Sequence, residues 1–267
     1  MNLTELKIAD CLKDLKENYC VIGLKAEFET EGAQIEEAFK LKGLADDNDL
    51  DFVIKVGGCG AIKDMFDAKA IGVSAIVAPM IETTYALQKF ITSVNTVFTE
   101  QEDAHTKLYI NIETKCGFDL LKEILASQYA SKIAGIVFGR TDMALSLGMN
   151  LDDIDNRILC DYANNIASLS EQYNKELIIG GGISLSSLPF LQKINNLSFK
   201  KFETRKVIFD AKEFLSSKYK SEGIIKALEF ERLCIENRQN IYGTLNTQDI
   251  KRIKELELRA NNIKLLS

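Results

Sequence analysis

The sequence is short of the residues on which several large classes of chemistry depend. Of its 267 residues only His105 is a histidine, so a histidine-centred triad and a multi-histidine metal centre are excluded by count. Six cysteines, Cys11, Cys20, Cys59, Cys116, Cys160 and Cys234, are scattered with no CxxC pair among them. That spacing suits neither a zinc knuckle nor a disulfide framework. Basic charge is also scarce: Lys and Arg total 33 against 39 Asp and Glu, a net charge of -6. No basic stripe is present to neutralise a phosphate backbone, and a nucleic-acid partner is not expected. Apolar runs stay well below the roughly 18 residues of a membrane span, no signal-peptide pattern opens the chain, and a reduced, cytoplasmic, soluble protein is the expectation. With 46% hydrophobic and 27% charged residues, the composition supports one sizeable core.

What is present is alternation. Apolar runs of strand length occur at 20–28 (CVIGLKAEF), 51–58 (DFVIKVGG), 74–82 (SAIVAPMIE), 107–113 (KLYINIE), 134–140 (AGIVFGR), 176–183 (ELIIGGGI) and 199–209 (FKKFETRKVIF). Between them lie segments whose apolar residues fall at helical spacing. Near-continuous apolar strands separated by helices indicate a parallel sheet covered by helices. Seven such runs predict an α/β, TIM-type (β/α)8 barrel over residues 1–210, with the eighth strand lost, replaced or too short to see. Residues 3–19 read as an amphipathic helix ahead of the first strand. No GxGxxG fingerprint follows that strand, so a dinucleotide fold is the weaker choice. From about Ala211 the pattern becomes helical only, and residues 211–267 are expected to form a C-terminal helical extension, broken at Gly243 and restarted at Thr247 with its hydroxyl as cap. An amphipathic extension of this kind favours assembly into a homo-oligomer.

In a parallel barrel the chemistry gathers where strands end, and the strand ends here are polar. They carry Lys25 and Glu27, then Lys55, then Glu82, then Asn111 and Glu113, then Arg140 and Asp142, then Gly180–Gly182, and last Glu203, Thr204 and Arg205. His105 precedes its strand and belongs to the opposite, structural face. Each residue also has an ordinary reading. Asp142 could cap the helix after it, Glu113 with Thr114 could open a helix, the lysines could pair with neighbouring carboxylates, and the glycines could only make a turn. Their joint occurrence points further, to a cation site beside an anion site. Two carboxylates are too few to enclose calcium, and without Cys or His they do not attract zinc; Mg²⁺ or Mn²⁺, which keep waters and accept oxygen from a ligand, suits them. Backbone amides of the Gly139–Asp142 turn, at a helix start, could hold a carboxylate.

Three segments carry a resemblance. INIETKCGFDLLKEIL (110–125), GIVFGRTDMALSLGM (135–149) and AIVAPMIETTYALQKF (75–90) resemble the HpcH/HpaI aldolase and citrate lyase family of metal-dependent barrel enzymes, in which one strand ends in an I-E-T tripeptide and a later one in a G-x-x-D-L turn. The resemblance implies that Glu113 and Asp142 are metal ligands, that Mg²⁺ or Mn²⁺ chelates a pyruvate-like 2-oxo acid, and that Gly139, Arg140 and Thr141 hold the substrate carboxylate. It further implies cleavage or formation of a carbon-carbon bond through a metal-stabilised enolate. The sequence departs from the family at three places. Phe28 stands where aldolases carry a histidine after the position matched by Glu27, Lys55 replaces an arginine, and Arg140 replaces a small residue.

The expectation is therefore a carbon-carbon lyase acting on a small-molecule 2-oxo acid. Lys55 would face the enolate oxygen, while Glu27, Lys25 or Glu82 would move the proton. Arg140 and Arg205 would recognise a second anionic group. Two alternatives stand beside it: Lys25 or Lys55 as a Schiff-base nucleophile, and a catalytically silent barrel that binds an anionic metabolite or a partner protein.

Overall fold

Strands in chain order form the centre of the molecule. The structure, a computed structural model, describes residues 2–99, 105–242 and 247–261. Eight strands, β1 (Val21–Glu27), β2 (Asp51–Lys55), β3 (Ala75–Ala78), β4 (Lys107–Ile112), β5 (Gly135–Gly139), β6 (Glu176–Gly180), β7 (Phe199–Glu203) and β8 (Val207–Asp210), close into a barrel in that sequence. The barrel expectation holds, with one difference in its last stave. The run 199–209 is two strands, and β8 lies antiparallel to both β7 and β1. The hairpin between them is closed by one backbone bond and one threonine hydroxyl. The Thr204 amide donates to the Val207 carbonyl at 3.0 Å, and the Val207 amide donates to Thr204 Oγ1 at 3.1 Å. Phe202 and Phe209 then face each other across the pair, their rings stacked with centroids 4.8 Å apart.

The two-residue period of the strands sorts their side chains. Val53, Ala75, Val77, Tyr109, Val137, Ile178 and Ile208 point inward and form a small apolar cluster of their own. Their neighbours, such as Phe52, Ile54, Ile76 and Ile110, point outward into the larger core beneath the helices. Toward the C-terminal ends of β1–β7 the inward positions turn polar, with Lys25, Glu27, Lys55, Asn111 and Glu203 all buried. The site is thus a polar floor resting on an apolar plug.

Helices α1 (Leu3–Asn18), α2 (Ile35–Asp47), α3 (Ile62–Ile71), α4 (Thr84–Val97), α5 (Lys115–Asp119), α6 (Leu121–Ala126), α7 (Arg140–Ser146), α8 (Arg157–Gln172) and α9 (Leu188–Gln192) run between the strands or precede them. Their starts are capped as the residue types suggest. Asn2 forms a capping box with Glu5 on α1, Thr83 accepts from the Ala86 amide on α4, and Asn156 accepts from the Leu159 amide on α8.

Because β8 is reversed, the chain leaves the barrel at its base, where the Asp210 amide donates to the Cys20 carbonyl just before β1. After α10 (Ala211–Ser216), the 23-residue α11 (Lys220–Tyr242) climbs beside α1 in the opposite direction. Lys226 pairs with Asp14 at 3.0 Å, and further up Asn237 meets Asn2 at 3.2 Å. The last described helix, α12 (Thr247–Asn261), then lies over the mouth. It is tied to α11 by Arg252, which donates to both carboxylate oxygens of the fully buried Glu231 at 2.7 and 3.0 Å. Gly243, the expected break in the tail, and the Thr247 side chain lie outside the described residues. Among the described residues no helix is long and apolar enough to cross a membrane.

Candidate active site

At the mouth, β1, β2, β4, β5 and β7 deliver side chains, and β6 a glycine, into one cavity of about 440 Å³. Lys25, Glu27 and Glu203 form its floor. Lys25 Nζ pairs with Glu27 at 3.0 Å and, more closely, with Glu203. Burial alone would lower the Lys25 pKa, but Glu203 and Glu27 outweigh it and hold the ammonium well above its ordinary value. Burial likewise works against ionisation of Glu27, yet Lys25, then Lys55 and Arg205, bring that carboxyl down to about 2.

One step along the sheet, Lys55 Nζ lies 2.7 Å from Glu29 and 3.5 Å from Glu113 Oε2. Burial opposes the charge of Lys55 too, and Glu113 and Glu27 raise its pKa nonetheless. Glu113 is held from several sides. Its Oε2 also accepts from Asn111 Nδ2 at 2.8 Å, and its Oε1 accepts from the Met80 amide at 3.0 Å. Gly139 makes room for it, since a β-carbon there would stand 2.8 Å from Glu113 Oε2. Asp142 comes from the first turn of α7 and caps nothing: the N-cap is Gly139, without a side-chain bond. Instead Asp142 stands within hydrogen-bonding reach of Glu113, and burial first, then the Glu113 charge, pushes its pKa up. Gly181, at φ +83°, leaves open the space above the Arg140 and Thr141 amides, because a β-carbon there would come within 2.7 Å of both nitrogens.

The structure therefore brings Lys25, Glu27, Lys55, Glu113, Gly139, Thr141, Asp142 and Arg205 to one cavity. Two of the expected residues stand elsewhere. Arg140 is fully buried and does not line the cavity. Its guanidinium donates to the Gly180 and Gly181 carbonyls at 3.1 and 2.7 Å and to Asp155 at 2.5 Å, and it lies over the Phe190 ring. Every face of the fork is committed, so Arg140 shapes the glycine turn and has nothing left for a substrate. Glu82 accepts from Thr114 Oγ1 at 2.6 Å, outside the cavity lining. Lys25 and Glu27, expected to move the proton, each stabilise the other's charge. For the same reason neither Lys25 nor Lys55 has the environment of a Schiff-base amine. His105 is exposed at the base of the barrel, beside Lys107.

Several residues at the site escaped the sequence reading. Glu29 follows Glu27 at the same two-residue spacing, a signal that was available. Lys251, Arg252, Glu255 and Arg259 of α12 also line the cavity, and nothing local in their segment distinguishes them from a solvated helix face.

The donor set fits a hard divalent ion. Glu113 and Asp142 crowd each other, and the buried Asn111 Oδ1 beside them has no hydrogen-bond partner. No group of three or more His, Cys, Asp or Glu residues suited to a metal occurs among the described residues. Two carboxylates with room for water and ligand match the habits of Mg²⁺ and Mn²⁺.

Comparison with known proteins bears out the resemblance. Residues 50–174 match the family model described as HpcH/HpaI aldolase/citrate lyase. Among solved structures, the citrate synthase SbnG aligns with a TM-score of 0.57 at 14% identity, over 75% of this chain and 81% of that one. An HpcH/HpaI aldolase/citrate lyase family protein from Burkholderia cenocepacia gives 0.57 at 14% identity, over 70% and 81%. RipC from Yersinia pestis gives 0.51 at 17% identity, over 85% and 90%. At such identities these likenesses show the fold. No curated protein sequence matches the chain.

Proposed function

With an HpcH/HpaI segment at residues 50–174 as premise, we propose that this protein is a carbon-carbon lyase acting on a pyruvate-like 2-oxo acid and dependent on Mg²⁺ or Mn²⁺. The observation that carries it is the forced proximity of Glu113 and Asp142, two carboxylates from neighbouring strand ends whose repulsion a divalent cation relieves. Lewis-acid polarisation of the substrate carbonyl is what such an ion supplies when held by these two side chains.

The chain's own residues supply the rest. Lys55 Nζ, kept protonated between Glu29 and Glu113, is placed to donate a hydrogen bond to an oxygen on which negative charge develops. Glu29 is partly open to solvent, while its Oε2, the atom nearest Lys55, is buried. The Arg140 and Thr141 amides, uncovered by Gly181, suit the carboxylate of the acid. Lys25, Glu27 and Glu203 hold the floor rigid and ionised, which keeps the site polar without placing a mobile proton there. A homo-oligomer in the cytoplasm, with neither a nucleic-acid nor a membrane partner, remains part of the proposal.

The test is turnover of pyruvate with a panel of aldehydes, with Mg²⁺ and with EDTA. Activity that vanishes in EDTA and in Glu113→Gln supports the assignment. Activity that survives either one refutes it, and metal-dependent oxalate binding without any turnover would favour a silent binding barrel.

A further inference from the structure

Behind the loop that follows β1 lies a second cavity, of about 330 Å³, bounded by α1, α2, α11 and the tip of the β7–β8 hairpin. Its walls are apolar: Ile8, Ala33, Leu41 and Ile235 are buried, and Leu44 is partly so. Its charges are almost all matched. Glu31 pairs with Lys206 at 2.7 Å, Glu37 and Asp249 with Arg238 at 2.7 and 3.7 Å, and Glu5 with Lys40 at 3.0 Å. Asp47, the remaining carboxylate on the lining, is exposed to solvent about 15 Å along α2 from Glu37. Arg205 is the exception among the cations. Half-buried at the hairpin tip, it forms no hydrogen bond or ion pair among the described residues. The carboxylates that feel its charge, Glu27, Glu31 and Glu231, are each bound to another cation, Lys25, Lys206 and Arg252.

Apolar walls around one uncommitted guanidinium suit a molecule with an apolar chain and a single oxyanion at its end. We propose that this cavity is an effector site for an amphipathic monocarboxylate, its chain along Ile8, Leu41, Leu44 and Ile235 and its carboxylate on Arg205. At roughly 30 Å³ per water, about 330 Å³ gives about eleven water-sized positions, close to the number of non-hydrogen atoms in octanoate. The site stands back to back with the mouth. Arg205 lines both cavities. Glu31, on the wall of the second, accepts from the Glu27 amide at 3.2 Å, and Thr30 beside it lines the first. A carboxylate that neutralises Arg205 from behind takes positive charge away from the mouth, and an anion seated there is then held less tightly. The seat does not depend on the lyase reading; its coupling to the mouth rests on that reading.

The experiment uses the full chain with octanoate, and with octanol as its uncharged counterpart. Cys234 lines the cavity and is half-buried, whereas Cys116 is exposed on α5, so alkylation by iodoacetamide, followed residue by residue through peptide mass, reports occupancy of this cavity. At about 10 times its Kd octanoate should slow labelling of Cys234 about 10-fold and leave Cys116 unchanged. Octanol should need a concentration about 10- to 100-fold higher, the range for a lost charge-assisted hydrogen bond, and Arg205→Gln should bring octanoate to the level of octanol. No protection of Cys234, equal potency of octanol, or an octanoate dependence that Arg205→Gln leaves unchanged overturns the site. The coupling is read by calorimetry of oxalate with Mg²⁺, whose affinity should fall about 5-fold or more in saturating octanoate. Unchanged or tighter oxalate binding overturns the effector role. If oxalate does not bind with Mg²⁺ at all, the reading of the mouth and the effector role fall together, while Cys234 labelling still decides the seat.

Discussion

Replacing Asp142 by Asn should make the metal-free protein more stable, although it removes one of the two proposed metal ligands. Asp142 faces Glu113 in a half-buried setting, and its pKa is raised by burial first and by that carboxylate second. A carboxyl whose folded pKa lies above its unfolded value contributes most at low pH and costs stability once pH has risen through the folded value. At neutral pH its charge is therefore a burden. Two like charges about 4 Å apart at an effective dielectric of about 20 repel by about 4 kcal/mol. Lys55, 3.5 Å from Glu113, offsets most of this, and water reaching Asp142 screens more, so about 1 kcal/mol should remain. For a domain of this size that raises Tm by roughly 2–4 °C in EDTA. Mg²⁺ at about 100 times its Kd should stabilise the wild type by about 2.7 kcal/mol, roughly 5–10 °C. Asp142→Asn, with one of two ligands gone, should respond little, so the order of the two melting curves reverses on adding Mg²⁺. Circular-dichroism melts of both proteins in EDTA and in a Mg²⁺ series provide the measurement. A lower Tm for the variant in EDTA, or equal Mg²⁺ shifts in both, would show that the two carboxylates do not form a cation site.

Three further outcomes follow from the same geometry. Glu27, held down to about 2 from an ordinary 4.5 by Lys25, Lys55 and Arg205 against the effect of burial, contributes stability that is complete above pH 4.5 and is lost as pH falls toward 2. The loss is about 3 kcal/mol at most, and urea midpoints measured across that window should flatten in Glu27→Gln. Gly139→Ala puts a methyl 2.8 Å from Glu113 Oε2; it should cost about 1–3 kcal/mol in overpacking and abolish the Mg²⁺-dependent rise in Tm. Arg140→Met strands Asp155 and the Gly180 and Gly181 carbonyls and should lower stability by about 3–5 kcal/mol, whereas Arg205→Gln on the hairpin tip should stay within about 0.5 kcal/mol, both read as shifts in urea midpoint.

The barrel was legible because its staves are buried on both faces, so β2, β4, β5 and β6 stand out as apolar runs against amphipathic helices. The polar floor was legible for a related reason: Lys25, Glu27, Lys55 and Glu113 interrupt those runs where nothing but the barrel interior awaits them. The reversal at Thr204 was hidden, since that turn is closed by a threonine hydroxyl and contains no Gly, Asn or Pro to mark it. Arg140 was misplaced for a different reason. Its partners Asp155, Gly180 and Ser187 lie 15 to 47 residues away, and short-range pattern carries no trace of such company. The same distance concealed Arg259, which lines a cavity with residues as far back as Lys25. Local pattern specified the staves and the acids on them; which cations line the mouth was settled only when the tail folded over.

The inverted final stave has a consequence for how that tail is aimed. A chain that departs from the bottom of the barrel must regain its full height before it can reach the top, and α11, at about 34 Å for 23 residues, is the strut that does so. Its length is a ruler and its phase a compass. Each residue added to it would lift the far end by about 1.5 Å and turn it by roughly 100°, swinging the α12 guanidiniums off the opening while every barrel residue stayed where it was. The placing of these cations over the mouth is thus calibrated by a helix that does not itself line the mouth cavity.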